Sequence, residues 1–199
     1  MPTDAERDAV RGHIAAHSQS PRPRTDWEPV ARFRERALGL SSTVDEVGTL
    51  AEVPASAARY LKAHALPPTA VCWAGLAGLD WRSAGIEIAV REARETDLVG
   101  ITGAFCAIAE TGTLMTMTGP QTPAAASLLP ETHIAVVSAS RIVRGMEEAW
   151  RLARAELAQL PRAVSFISGP SRTADIEQTV TLGAHGPYRV HIICIGVVS

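Results

Sequence analysis

Short apolar runs punctuate most of the chain, at residues 70–73, 86–90, 104–109, 113–117, 133–137, 163–167 and 190–195. Each has the length of a strand, and polar or helical stretches separate them. The runs at 133–137 and 190–195 are almost continuously apolar, as strands covered on both faces should be. Residues 140–160 place Ile142, Val143, Met146, Ala149, Trp150, Ala153 and Leu157 at a 3.6-residue period, predicting a helix. Residues 42–47 alternate like a strand, and 49–65 read as a helix. Strand–helix–strand alternation predicts an α/β fold: a largely parallel sheet flanked by helices and joined by right-handed crossovers. Before residue 42 the pattern is helical. Residues 4–17 form one short helix, prolines at 21 and 23 interrupt it, and a second helix from Trp27 aligns Val30, Phe33, Ala37 and Leu38. The expected organisation is a helical N-terminal arm, 1–41, followed by one α/β domain, 42–199.

Composition narrows the function classes. The 199 residues are 46% hydrophobic and 20% charged, with a formal net charge of −2. No global field favours nucleic acid or anionic lipid, and an aromatic content of 5% argues against nucleic-acid stacking. Lys62 is the only lysine, which removes the P-loop and Schiff-base readings. The opening residues are polar and acidic rather than basic and then apolar, and no apolar run reaches the ~20 residues of a membrane span. The expectation is a cytoplasmic protein without a membrane span. Cys72, Cys106 and Cys194 lie far apart in apolar runs, so they read as buried thiols, with no C-x-x-C to ligate an iron–sulfur cluster.

Two stretches gather polar groups. In residues 107–117 two apolar segments flank Glu110-Thr111-Gly112, the spacing of a hairpin whose glycine supplies a positive φ. Glu110 is either a surface turn residue or, if buried, a candidate base or nucleophile with Thr111, Gly112 and Thr113 beside it. The second stretch follows the run at 163–167: Ser168, Gly169, Pro170, Ser171, Arg172 and Thr173, then Asp175 and Glu177. Leaving the carboxyl end of a parallel strand, with a helical turn to follow, this loop could hold an anionic small molecule, gripped by Arg172. The bland alternative is a capped turn in which Arg172 pairs with Asp175 or Glu177. His185, in Gly-Ala-His-Gly-Pro, is the one histidine in a nearby polar loop and a candidate for proton transfer. His133 and His191 read as structural. His13 and His17 lack a third ligand, so no metal site is expected. Glu110 and Arg172 are expected to line one pocket.

Residues 100–114 (GITGAFCAIAETGTL), 128–137 (LLPETHIAVV) and 165–187 (SFISGPSRTADIEQTVTLGAHGP) together resemble the lactate-utilisation C protein family, whose shared module is the LUD domain. The resemblance covers roughly residues 42–196. It implies a fold like that of the glucosamine-phosphate isomerase, ribose-phosphate isomerase and CoA-transferase group. It also implies a role as a non-redox component of a cytoplasmic bacterial system that oxidises L-lactate to pyruvate. The iron–sulfur clusters would then reside in partner proteins, with no cofactor bound by this chain. The family supplies no assigned catalytic residues, so the two polar stretches carry over only as motif positions. The competing expectation is a stand-alone enzyme or binding protein for a phosphorylated, carboxylated or CoA-linked small molecule, with Glu110 as base or nucleophile and Arg172 as the anion clamp.

Overall fold

A computed structural model describes residues 3–16, 26–174, 180–182 and 186–197. The elements in chain order are α1 (Asp4–Ala16), α2 (Pro29–Gly39), β1 (Thr43–Val47), α3 (Val53–Ala63), β2 (Thr69–Cys72), β3 (Glu87–Ala89), β4 (Val99–Gly103), β5 (Cys106–Ile108) and β6 (Thr113–Met117). They continue with α4 (Ala125–Leu128), β7 (Thr132–Ser138), β8 (Ile142–Val143), α5 (Met146–Glu156), β9 (Val164–Ile167), β10 (Arg172–Ala174), β11 (Val180–Leu182) and β12 (Arg189–Ile195). Six strands form a sheet in the order β1-β12-β7-β4-β2-β3, and every pairing in it is parallel. The fold is therefore the expected α/β arrangement with helices on the sheet faces and an N-terminal helix. A second sheet, β8-β5-β6-β9, contains the antiparallel pairs β5–β6 and β6–β9, and β10 pairs with β11 in a separate hairpin.

The packing runs in layers from α3 to α5. Val53, Ala57, Tyr60 and Leu61 of α3 pack on Ile101, Ile134, Val136 and Ile193 of the large sheet. The alternate residues of β7 and β12, Ala135, Val137, Ile192 and Cys194, face the other way. There they share a core with Phe33 and Ala37 of α2 and with Ala107, Ala109 and Leu114 of the small sheet. The opposite face of the small sheet, Cys106, Ile108 and Met115, is covered by Ala149 and Ala153 of α5. The period of two in β5, β6, β7 and β12 thus sorts each strand's side chains between two cores.

Two departures from the sequence reading have plain causes. The strand β4, central in the large sheet, is absent from the apolar runs because Gly100, Thr102 and Gly103 interrupt its pattern. Gly100 is needed there: a Cβ at this position would lie 1.9 Å from the Ala126 carbonyl oxygen of α4 and 2.9 Å from Pro130. The helix expected over 140–160 is shorter. Gly145 stands at its N-cap, so Ile142 and Val143 extend instead, pairing with β5 as β8.

The two structural histidines sit within the large sheet. His133 shares a 2.7 Å hydrogen bond with Thr102, and His191 shares one of 2.9 Å with Thr43 while stacking on Tyr60 at a centroid distance of 4.0 Å. Burial lowers both pKa values to about 4 from an ordinary value near 6.5. Between those values the unfolded chain binds more protons than the folded one, so stability falls as pH drops through 6.5 and levels off near 4. The expected loss is on the order of 3 kcal/mol for each histidine. Urea unfolding from pH 7.5 to 4 should show it, and His191→Phe, which keeps an aromatic ring against Tyr60, should remove about half of the slope. Gly100→Ala should cost roughly 3 kcal/mol, because the added methyl meets backbone. An unchanged unfolding midpoint would show that α4 does not press on β4.

Candidate functional site

The two polar stretches meet at one end of the small sheet. Residues 109–112 turn between β5 and β6, with Gly112 at φ +67°, and Gly112 N donates to Ile108 O at 2.9 Å. The strand β9 pairs beside β6 so that Leu114 stands opposite Ile167. Ser168 leaves β9 next to the turn, and three hydroxyls form a ladder. Thr111 and Thr113 share a hydrogen bond of 2.7 Å, as do Thr113 and Ser168. Thr113 is buried; Thr111 and Ser168 are exposed.

The other half of this junction is the C-terminal end of α2. Glu28 caps the start of that helix by accepting from Val30 N at 3.0 Å and Ala31 N at 2.6 Å, with Pro29 in the first turn. At its far end Leu40 N donates to Arg36 O, Ser42 N donates to Ala37 O, and Ser41 takes a positive φ of 66°. A Cβ on Gly112 would lie 2.6 Å from Ala37 N, and one on Gly169, at φ +81°, would lie 2.4 Å from Leu40 O. Arg172 donates to the Ser41 hydroxyl. Gly112, Gly169 and Arg172 therefore close around one helix end. The loop after β9 leaves the small sheet rather than the carboxyl edge of the parallel sheet, because β9 pairs with β6. It leads into the strand β10, not into a helical turn, and Ser171 N donates to Pro187 O at 2.8 Å. Pro170 and Ser171 are half-buried.

Glu110 occupies the opposite side of the same junction, toward β8. Its N–H donates to Arg144 O at 3.0 Å, and its carboxylate flanks Gly145 together with that of Glu147. Glu148 accepts from Arg144 N at 2.8 Å. Three carboxylates thus surround the N-terminal end of α5, where the helix dipole favours negative charge. Glu110 stands on the β8 side of the small sheet and Arg172 on the β9 side, with β5 and β6 between them. Arg172 pairs with Ser41, and Thr173 follows it in β10; Asp175, Glu177 and His185 lie outside the described residues. The helix end that both stretches hold, Leu40 to Ser42, is an element that the polar motifs alone do not point to. Its signal was the Gly39-Leu-Ser-Ser series directly after an amphipathic helix.

The thiols offer no converging site. Cys72, Cys106 and Cys194 are buried in three different cores, and burial pushes their pKa values up to about 12, 11 and 12. Among the described residues no three His, Cys, Asp or Glu side chains are placed to hold a metal ion, and no helix is long and apolar enough to cross a membrane.

Comparison with known proteins bears on this architecture. The family profile described as LUD domain matches residues 31–195, a span that takes in most of α2 and both polar stretches. Lactate utilization protein C of Halalkalibacterium halodurans is 37% identical over 118 residues, 58% of this chain and 51% of that protein. Lactate utilization protein C of Bacillus subtilis is 34% identical over 119 residues, 58% of this chain and 49% of that protein. The match thus spans about half the length of these curated relatives. A crystal structure of a DUF162 family protein from Deinococcus radiodurans superposes with a TM-score of 0.63 at 23% identity, covering 87% of this chain and all of that one. At that identity the likeness concerns the fold.

The junction makes a stability prediction. Gly112→Ala and Gly169→Ala each add a methyl against α2 backbone at a positive φ, and each should cost about 2 kcal/mol or more. Thr113→Val, which removes the middle of the hydroxyl ladder, should cost about 1–2 kcal/mol. Urea titrations followed by circular dichroism measure all three. A Gly169→Ala midpoint within error of the parent would contradict the close contact with Leu40.

Proposed function

The chain belongs to the LUD-domain family, and from that premise we propose that it serves bacterial L-lactate utilisation as a non-redox component of a multi-protein, cytoplasmic system. The observation that carries this reading is the 34–37% identity to proteins named lactate utilization protein C. Oxidising lactate to pyruvate removes two electrons and two protons, so an acceptor is required. The described part of this chain offers no converging thiolates or metal-ligating cluster to take the electrons. In this reading the iron–sulfur centres that take the electrons reside in partner proteins. The geometry around α2 supports a scaffolding role for the polar stretches, since Gly112, Gly169, Thr113 and Arg172 spend their contacts on the protein itself. We include in the proposal the wider kinship to the isomerase and CoA-transferase group, supported by the parallel sheet with helices on its faces.

The test is affinity isolation of the tagged chain from its native host grown on L-lactate, with an iron assay and lactate-dependent dye reduction on the eluate. Recovery of iron–sulfur proteins with dye reduction is the expected result. An iron-free single protein would overturn the reading and favour a stand-alone enzyme or binding protein. Two variants sharpen the distinction. In a deletion strain, Glu110→Gln and Arg172→Ala should restore growth on L-lactate to within about twofold of the parent chain, or lose growth and partner recovery together. Growth lost with partners retained would place catalysis at those side chains.

A further inference from the structure

The strand order of the large sheet contains a point where the chain changes direction. From β2 the next strand, β3, lies on one flank, whereas from β4 the next strand of this sheet, β7, lies on the other. The connections that leave the neighbouring carboxyl ends of β2 and β4 therefore diverge, which opens a crevice between them. In open α/β sheets that crevice is where small molecules bind. Here it is occupied neither by Glu110 nor by Arg172. A cleft of about 350 Å³ lies there, lined by Trp73 just after β2, by Gly103 and Ala104 at the end of β4, and by Phe105, Met117 and Leu157 among others.

The walls of the cleft are fixed by contacts outside it. Trp73 Nε1 donates to Pro123 O at 3.1 Å, which ties the indole to the loop after β6. Phe105 is backed by the Arg141 guanidinium, 4.5 Å from its ring centroid, and Arg141 also donates to Phe105 O and pairs with Glu156 at 2.9 Å. Aromatic walls held in this way lose little freedom on binding. Among the described residues no charged side chain lines the cleft. Thr118 spends its hydroxyl on the Ala163 backbone, but the Thr122 hydroxyl and the Gln159 amide have no hydrogen-bond partner among the described residues. The lining thus offers aromatic faces, a thioether and two neutral polar groups. A carboxylate or phosphate would enter without a counter-charge, at a desolvation cost that nothing there offsets. A flat, uncharged ring with hydrogen-bonding edges meets every feature.

We propose that this cleft binds an uncharged nitrogen heteroaromatic ring, of purine or indole size, free or as the ring end of a larger molecule. The site stands apart from the lactate-utilisation reading, and lactate, being an anion, is not its ligand. The glycine at its base is part of the design: a Cβ on Gly103 would meet only the Trp73 ring, 4.0 Å away, so the side chain is missing where the cleft needs space.

The test is an NMR titration of the ¹⁵N-labelled full chain with indole and with adenosine, using L-lactate as the charged comparison. The expected result is saturable binding of at least one ring, with shifts concentrated at the amides of Gly103, Ala104, Phe105, Thr118 and Leu157 and none of these moved by L-lactate. Gly103→Leu, which fills the cleft, should weaken the ring's affinity at least tenfold without lowering the unfolding midpoint. Absence of saturable binding by both rings, shifts centred elsewhere, or an affinity within twofold in a folded Gly103→Leu protein would each overturn the proposal. If Gly103→Leu does not fold, the shift map of the parent chain decides alone.

Discussion

The fold depends on a helix held between two sheets. Phe33 and Ala37 of α2 are fully buried, packed at once against β7 and β12 of the parallel sheet and against β5 and β6 of the smaller one. A helix can lie this close only where the strands present short side chains. Ala107, Ala109 and Ala135 do so from the two sheets, and Gly112 lets the turn touch helix backbone. A larger residue at any of these positions would push the layers apart and expose both cores together.

Seen from this helix, the hydroxyls, glycines and arginine of the two polar stretches have a physical reason to cluster. The end of α2 projects carbonyl groups that must be satisfied, and its chain then reverses sharply into β1 through a positive φ at Ser41. Gly169 lies against Leu40 O, and Arg172 donates to the Ser41 hydroxyl. The ladder of Thr111, Thr113 and Ser168 binds the two approaching loops to each other. Glu110 serves a different helix, contributing negative charge at the start of α5.

Much of this architecture was legible in the residues, and the failures are instructive. Continuous apolar runs identified β7 and β12, and the helix around Phe33 and Ala37 showed its stripe. Strand β4 escaped because a strand crowded by a neighbouring helix carries glycine where a pattern search looks for valine. The apolar stripe over 140–160 outruns the helix because Ile142 and Val143 fit the helical period and the β8 register equally well. Polar groups near strand ends suggest a ligand shared by Glu110 and Arg172; strand pairing puts one on the β8 side of the small sheet and the other on the β9 side. Which sheet a strand joins is a matter of long-range pairing, and it is pairing that carried the loop after Ile167 away from the parallel sheet's carboxyl edge. The cleft beside Trp73 left no trace in the sequence, since its lining comes from four stretches of chain spread between Trp73 and Pro161.

The position of β1 has a consequence for how the protein is made. Among the described strands its only sheet neighbour is β12, and the Thr43–His191 hydrogen bond that joins them spans 148 residues. During synthesis β1 and α2 emerge early, yet the strand against which both must settle leaves the ribosome well after every other strand of the sheet. Until then Phe33 faces an incomplete core, and the edge of β7 that β12 will cover is open to any strand that comes near. The nascent chain thus passes through a long interval in which its apolar middle layer has no finished floor. A chaperone that shields that layer, or slow translation before β12, would act on this interval rather than on the stability of the finished fold.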